Sequence, residues 1–460
     1  MGKPTHAVVL GGGLAGTLAA AVLTRHTTSV TIVERDQLPD HPVPRAGTPQ
    51  AHHTHVLLSG GAHALDQLLP GTTRELLDHG AQYIGVPNRL LMLFSRGWLE
   101  RFDEMQFIIG ASRGLLDRVV RRRVLADSHI TVRPNTAATG LLGSPHRVTG
   151  VRLLDRRTGH TDDLPADIVV DATGHRSQAV TWLTALGLPT PTEEHIDPQI
   201  FYTTRLYRMP SLARDDFPEI NIMPDPTNTD HVRAGVLVPI EDRQWTVTLI
   251  GSRDHRPPTS EAGFAAYARD LRHPIIADLI RTAEPLTAPR GYRIPGNRRR
   301  HFHRMPTWPD GFVVLGDAAC TVNPIYGHGM AIAARSALAL DTGLRRHGPH
   351  HDARRTQRDI ARAADLAWTM ATTQDLRYPT TTGPRPNALA RGRQRFLDRI
   401  AWTATSRPSV AAAQLGVYTL ATSPTRLLTP HILLSVMLGP RRQARTDPPL
   451  TTDEQAVRDQ

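Results

Sequence analysis

The opening segment of this chain constrains its fold more than any other part of the sequence. Ala7 to Leu10 is a short apolar run that leads directly into Gly11-Gly12-Gly13-Leu14-Ala15-Gly16. An Ala/Leu-rich stretch continues to Arg25, and a second apolar run, Ser29 to Val33, ends in Glu34 and Arg35. An apolar run without alternation suits a parallel strand buried on both faces. The stretch from Leu14 to Arg25 is expected to be a helix. Between strand and helix, Gly11 permits a tight turn, Gly13 lets backbone approach a pyrophosphate, and Gly16 lets helix and strand pack closely. The helix start at Leu14 and Ala15 then offers free N–H groups and the positive end of its dipole to an anion. Glu34, about 20 residues on, is placed to accept hydrogen bonds from a ribose and to repel a 2′-phosphate. The expectation is a Rossmann-type α/β domain that binds a dinucleotide. This motif does not by itself separate FAD from NAD.

Two later segments bear on that choice. In the first, an apolar strand, Ile168 to Val170, precedes Asp171-Ala172-Thr173-Gly174. In the second, Gly311 to Leu315 forms another apolar run before Gly316-Asp317. Asn323-Pro324-Ile325-Tyr326-Gly327-His328-Gly329-Met330 follows, and then an Ala-rich helix to about Leu344.

This order resembles the group A flavoprotein monooxygenases, the fold of aromatic hydroxylases and squalene epoxidases. The resemblance implies FAD. It implies an aspartate on the ribityl chain, here Asp317 after Gly316, and a loop whose backbone amides meet the flavin pyrimidine, here Pro324, Gly327, His328, Gly329 and Met330. It also brings Arg45, Gln50 and Arg113 to the flavin, ribityl or pyrophosphate groups, and gives the strand around Thr136 to Ala138 backbone contacts with adenine. Thr173 and Gly174 complete the cofactor set. Many group A hydroxylases carry an acid where this chain has Thr173, and no second dinucleotide fingerprint is present. Electrons from NAD(P)H, delivered directly or through a flavin reductase, both fit at this level.

The resemblance extends further, to bacterial polyene epoxidases of polyether-antibiotic pathways of the lasalocid and monensin type. The segments PGTTRELLDHGA (70–81), GWLERF (97–102), ASRGLLDRVVR (111–121), VPIEDRQWTVTLIG (238–251) and LAWTMATTQDLRYP (366–379) carry it. It implies epoxidation of several alkenes of a linear polyene polyketide by a flavin C4a-hydroperoxide formed from O2. The cofactor carries that chemistry, so no catalytic side chain is required. Arg45 or His328 is a candidate for assisting proton delivery. An aromatic or polyketide hydroxylase and a non-redox flavin-scaffolded cyclase share the pattern, as does a reductase of prenyl double bonds. A flavin halogenase needs a catalytic lysine, and the only lysine is Lys3 in the N-terminal leader.

The FAD-binding part is expected to be discontinuous, over 1–75, 107–185 and 290–345. A β-sheet substrate lobe would take 76–106 and 186–289, a C-terminal helical region 346–440, and a frayed polar tail 441–460. In that lobe Trp245, Val247 and Leu249 alternate with Thr246 and Thr248, which suits one wall of a cavity above the flavin. The stretch Met209 to Asp230 is expected to be an exposed loop and Leu186 to Pro198 a crossing linker. Trp98, Phe102, Phe107, Tyr202, Trp245 and Tyr326 are the aromatic candidates to face substrate.

The net charge of +11 is almost wholly arginine spread along the chain. It lacks the clustered basic and aromatic pattern of nucleic-acid binding, but leaves room for an acidic acyl carrier protein. The single Cys320 excludes an internal disulfide and suits a cytoplasmic protein. No apolar run reaches membrane-spanning length, and Ile432 to Leu438 is expected to be packed core. His52, His53 and His55 lack carboxylate or cysteine partners at ligand spacing, so no metal site is expected.

Overall fold

The computed structural model describes residues 6–45, 47–225, 233–294, 296–347 and 352–460. At its centre the strand His6–Leu10 pairs in parallel with Ser29–Val33 on one side and Ile168–Asp171 on the other. Ile130–Arg133 and Phe312–Val314 extend this sheet to five parallel strands, in the order 312–314, 168–171, 6–10, 29–33, 130–133. Successive side chains point to opposite faces. Ala7 and Val9 therefore join Leu18, Leu116 and Ala337 of the helices Leu14–Leu23, Arg113–Leu125 and Gly329–His347. Val8 and Leu10 instead meet the antiparallel sheet of Thr136–Gly143, Val148–Asp155 and Thr161–Pro165 through Leu141, Val151 and Leu153. Both faces are covered, which is why the strand is apolar throughout. Each fully buried Val or Leu contributes about 1.5–3 kcal/mol.

Beside this domain lies a seven-stranded sheet in the order 290–293, 200–208, 244–252, 233–240, 219–222, 90–94, 97–98. One face is core: Leu91, Leu93, Ile220, Ile222, Trp245, Val247 and Leu249 pack on Phe264, Ile276 and Leu279 of the helices Glu261–Arg269 and Ile275–Ile280. The other face looks back toward the first domain. The helices Ala388–Ala404 and Pro408–Tyr418 close over its edge, where Ile400, Val410 and Leu415 meet Leu90, Met92 and Ile108.

Four expectations fail in informative ways. Within 209–230, Glu219–Ile222 is an inner strand, parallel to Leu90–Phe94 and antiparallel to Arg233–Ile240. Phe217 beside it is buried, so the Pro/Asp content hid a short strand; residues 226–230 lie outside the described ones. The linker 186–198 contains the strand Glu193–Ile196, paired with Asn297–Arg300. The terminal segment is docked, not frayed. Trp98 Nε1 donates to the Thr446 carbonyl at 3.1 Å, and Arg101–Glu454 and Arg458–Asp278 pair at 2.7 and 2.8 Å. Its helix Thr452–Asp459 carries a capping box on Thr451 and Glu454 and buries Val457. Polar residues dominate there because one buried valine and a few ion pairs suffice to hold a short helix. Finally, the helix Pro430–Leu438 buries Ile432 and Val436 but leaves Leu434, Met437 and Leu438 more than half exposed. Among the described residues no helix is long and apolar enough to cross a membrane.

Candidate active site

The C-terminal ends of the parallel strands open into one cavity of about 440 Å³ that continues to the inner face of the seven-stranded sheet. Ligands of open α/β sheets bind at this edge. Gly11, Gly13, Leu14, Ala15, Glu34 and Arg35 line its first part. Gly11 has φ +100°, and a Cβ there would lie 2.6 Å from the Ala172 carbonyl oxygen. Glu34 is 5% exposed; its carboxylate accepts from Gly12 N–H at 2.7 Å and from Asp36 N–H at 3.0 Å. Arg45 Nη1 lies 2.8 Å from Glu34 Oε2 without hydrogen-bond alignment, and Arg45 Nε has no partner among the described residues. Donors are therefore left over beside the helix N-terminus, as an anionic pyrophosphate requires.

Gln50, Arg113, Ala138, Thr173 and Gly174 continue the wall. Arg113 Nε is held by Asp117 at 2.8 Å on a helix capped by Ser112. Asp171 sits behind the next turn, accepting from Thr173 N–H at 2.9 Å and Thr173 Oγ1–H at 2.6 Å, so the missing acid at 173 is replaced by a hydroxyl tied to its neighbour. Asp317 also faces the cavity, and its carboxylate makes no hydrogen bond to the described residues. Burial pushes it up to about 6, against the opposing charge of Arg113.

Pro324, Gly327, Gly329 and Met330 bound the middle of the cavity. Gly327 takes φ +71°, and a Cβ on Gly329 would meet nothing within 4 Å. Space therefore stays open beside the first turn of the helix Gly329–His347, whose first N–H groups have no partner within the helix. A residue to which the sequence reading gave no role organises this loop. Asp375, fully buried, accepts from Tyr326 Oη at 2.7 Å, from Asn297 Nδ2 at 2.6 Å and from Asn323 Nδ2 at 3.1 Å. Burial raises it to about 6, while these three donors pull the other way. It lies inside the segment 366–379 that carried the resemblance, but distance along the chain concealed its contact with the loop.

Three expected site residues stand behind the wall. Gly16 is a packing glycine, since a Cβ would fall 1.8 Å from the Gly11 carbonyl oxygen. Gly316, at φ +61°, would press a Cβ to 2.9 Å from that of Ala15. The His328 ring is turned from the cavity and fully buried, with Nε2 2.9 Å from the Tyr418 carbonyl oxygen; burial pushes it down to about 4. Its ring is therefore tied to the Tyr418 carbonyl and does not line the cavity. Arg45 faces Glu34 with donors to spare.

Beyond the loop, the sheet alternation places Leu90, Met92, Glu219, Asn221, Met223, Val236, Thr248 and Ile250 on the cavity side. The sheet as a cavity wall was anticipated, but not which of its faces; the period of two across 219–223 was the missed signal. Of the aromatic candidates, Tyr202 and Tyr326 line the cavity. Trp98 and Trp245 are fully buried core, Phe107 stacks on Tyr83 at 5.2 Å, and Phe102 packs against the cluster under the C-terminal helices. His53 lines the wall with Nδ1 2.8 Å from Thr204 Oγ1; burial, then the neighbouring His55, His52 and Arg290, push it down to about 3. His55 Nδ1 lies 2.8 Å from the His53 carbonyl oxygen, and His52 lies against Arg290.

The donors and acceptors left open suit FAD: a glycine turn and spare arginine donors for pyrophosphate, an unpartnered aspartate for hydroxyls, and a helix N-terminus for the flavin. Residues 4–351 match the family described as FAD binding domain. Protein Rv3254 of Mycobacterium tuberculosis is 30% identical over 360 residues, covering 75% of this chain and 74% of that one. A kynurenine 3-monooxygenase of Salinispora arenicola is 28% identical over 364 residues, covering 74% and 72%. In three dimensions a flavoprotein/dehydrogenase from Cytophaga hutchinsonii superposes with a TM-score of 0.67 at 16% identity, covering 94% of this chain and 98% of that one. The chain therefore belongs to this FAD binding domain family, and it is similar to a flavin monooxygenase.

Proposed function

We propose that the chain is an epoxidase that uses FAD, NAD(P)H and O2 to insert oxygen into alkenes of a long apolar polyene. The observation that carries this reading is the wall beyond the flavin loop. Among the described residues the seven-stranded sheet presents Leu90, Met92, Met223, Val236 and Ile250 to the cavity and no basic side chain. Such a wall accepts hydrocarbon by burying it, and it offers no cationic counter-ion to an anionic substrate. The family resemblance points to the same substrate class.

FAD supplies the oxygen chemistry once reduced. The chain's residues do the rest. Gly13, Arg45 and Glu34 would hold the pyrophosphate and ribose, Asp317 the ribityl hydroxyls. The N–H groups at Gly329 and Met330 favour negative charge on a reduced ring without a charged side chain. The apolar wall keeps water from the reacting alkene and selects the face presented. No side chain acts as nucleophile or acid. The same reading makes a flavin reductase and an acyl carrier protein the partners to test.

The test uses purified holoenzyme, NAD(P)H or reduced flavin, isotopically labelled dioxygen and a linear polyene. Labelled epoxide is the expected product. Unchanged polyene alongside hydroxylated aromatic compounds would replace this reading with a hydroxylase, and turnover without oxygen would replace it with a cyclase.

A further inference from the structure

The largely apolar wall carries an acid and an amide on one strand, Glu219 and Asn221. Glu219 is 3% exposed and lines the cavity, and its Oε2 is buried without a hydrogen-bond partner among the described residues. Its strand neighbours Ile220 and Ile222 face the opposite core. Asn221, two residues along and about 6.6 Å away on the same face, also lines the cavity, and its side chain makes no hydrogen bond to the described residues. An acid and an amide left without partners in an apolar surface cost folding free energy. A bound group that pairs with them offsets that cost.

We propose that Glu219, as a neutral carboxylic acid, donates a hydrogen bond to an acceptor oxygen of the substrate, a carbonyl above all, and that Asn221 flanks it. This anchor sets which alkene of an otherwise featureless chain lies over the flavin. Burial alone holds Glu219 up to about 8, so it is protonated at neutral pH. The surrounding elements contribute Leu90 and Met92 from one strand, Ile108 and Val236 from two others, and Tyr418 from the helix above. Among these, Tyr418 is the one titratable group; Glu219 as an anion would raise its phenol further. The anchor deepens the polyene reading and rests on it for the identity of the chain being anchored.

The experiment titrates holoenzyme with farnesylacetone, a linear polyalkene ketone, and with farnesene, its hydrocarbon counterpart, following the flavin absorption spectrum. The wild type should bind the ketone at least tenfold more tightly. E219Q, which keeps a donor, should retain most of that preference, and E219L should abolish it while keeping its flavin. The wild-type preference should also fade as pH rises through about 8, and that of E219Q should not. Equal binding of ketone and hydrocarbon, a preference surviving in E219L, or a preference flat with pH in the wild type each overturn the anchor. If E219L loses its flavin, the wild-type and E219Q pH profiles decide. Product analysis on the same samples separates the two readings. Glu219-dependent ketone binding without oxygenation removes the polyene epoxidase and keeps the anchor; oxygenation indifferent to Glu219 does the reverse.

Discussion

The Tyr326 hydroxyl donates to Asp375 Oδ1 at 2.7 Å, and through that bond the helix Ala353–Asp375 fixes the loop that bounds the middle of the cavity. The same carboxylate receives Asn297 and Asn323, and Asn323 Oδ1 in turn accepts from Ile325 N–H at 3.1 Å, which holds the turn before Gly327. The loop's glycines allow its shape, and the Asp375 network selects one shape.

Replacing Asp375 by alanine leaves the Asn323 amide and the Tyr326 phenol unpaired in the interior, and the Asn297 amide with only the Ile196 carbonyl. An Asp375→Ala variant should lose roughly 3 kcal/mol of stability and purify with little FAD. Asp375→Asn keeps one acceptor and should lose less on both counts. Thermal melting and the ratio of flavin absorbance to protein check this; a D375A protein with full flavin content would dismiss the network as a determinant of the site.

Two glycines should separate folding from cofactor binding. A methyl at Gly16 meets backbone at 1.8 Å, whereas at Gly329 it meets nothing within 4 Å and points into the cavity. Gly16→Ala should fail to fold or melt far below the wild type. Gly329→Ala should keep the apoprotein within about 1 kcal/mol and weaken FAD binding at least tenfold. Flavin titration of the apoproteins, with melting curves, reads both.

Asp317 makes a sharper case because its carboxylate has no hydrogen-bond partner among the described residues. Its folded-state value, about 6, lies above the ordinary 3.8. The folded apoprotein therefore binds more protons over that window, and this group's contribution to stability falls as pH rises from 3.8 to about 6. At neutral pH Asp317→Asn apoprotein should be as stable as the wild type or more so, by roughly 1–2 kcal/mol. Its FAD affinity should nonetheless fall about tenfold, the worth of a hydrogen bond to a charged acceptor. A D317N variant that binds FAD normally would remove Asp317 from the ribityl site.

The nucleotide end was legible because its signals are local: strand, glycine turn, helix and acid follow one another within a short segment, and each residue type answers a steric or electrostatic need. Arg45, Arg113, Asp317 and the 324–330 loop came from resemblance, and the cavity does contain them apart from the His328 ring. What stayed hidden was tertiary. Asp375 acts 49 to 78 residues from its partners, and nothing local marks it. Glu219 sits in a strand of four residues among prolines and aspartates, too short for its alternation to stand out. Thr451 and Glu454 carried a capping signal, yet the segment's polarity outweighed it.

Glu219 gives the last prediction, independent of any ligand. Its folded-state value, about 8, exceeds the ordinary 4.5 because burial penalises the anion. Below 4.5 the acid is neutral in both folded and unfolded chains, and it costs nothing in charge burial. Between 4.5 and about 8 the unfolded chain ionises and the folded one resists, so stability drains away as pH rises; above about 8 the loss is complete. Glu219→Gln cannot ionise. Its melting temperature relative to the wild type should therefore climb from pH 4.5 to about 8 and then level off, an advantage of a few kcal/mol at most. Melting curves of both apoproteins across that range decide it. Parallel curves with no change in spacing would mean that Glu219 is already ionised, and a cavity that tolerates the anion would not be the apolar chamber described above.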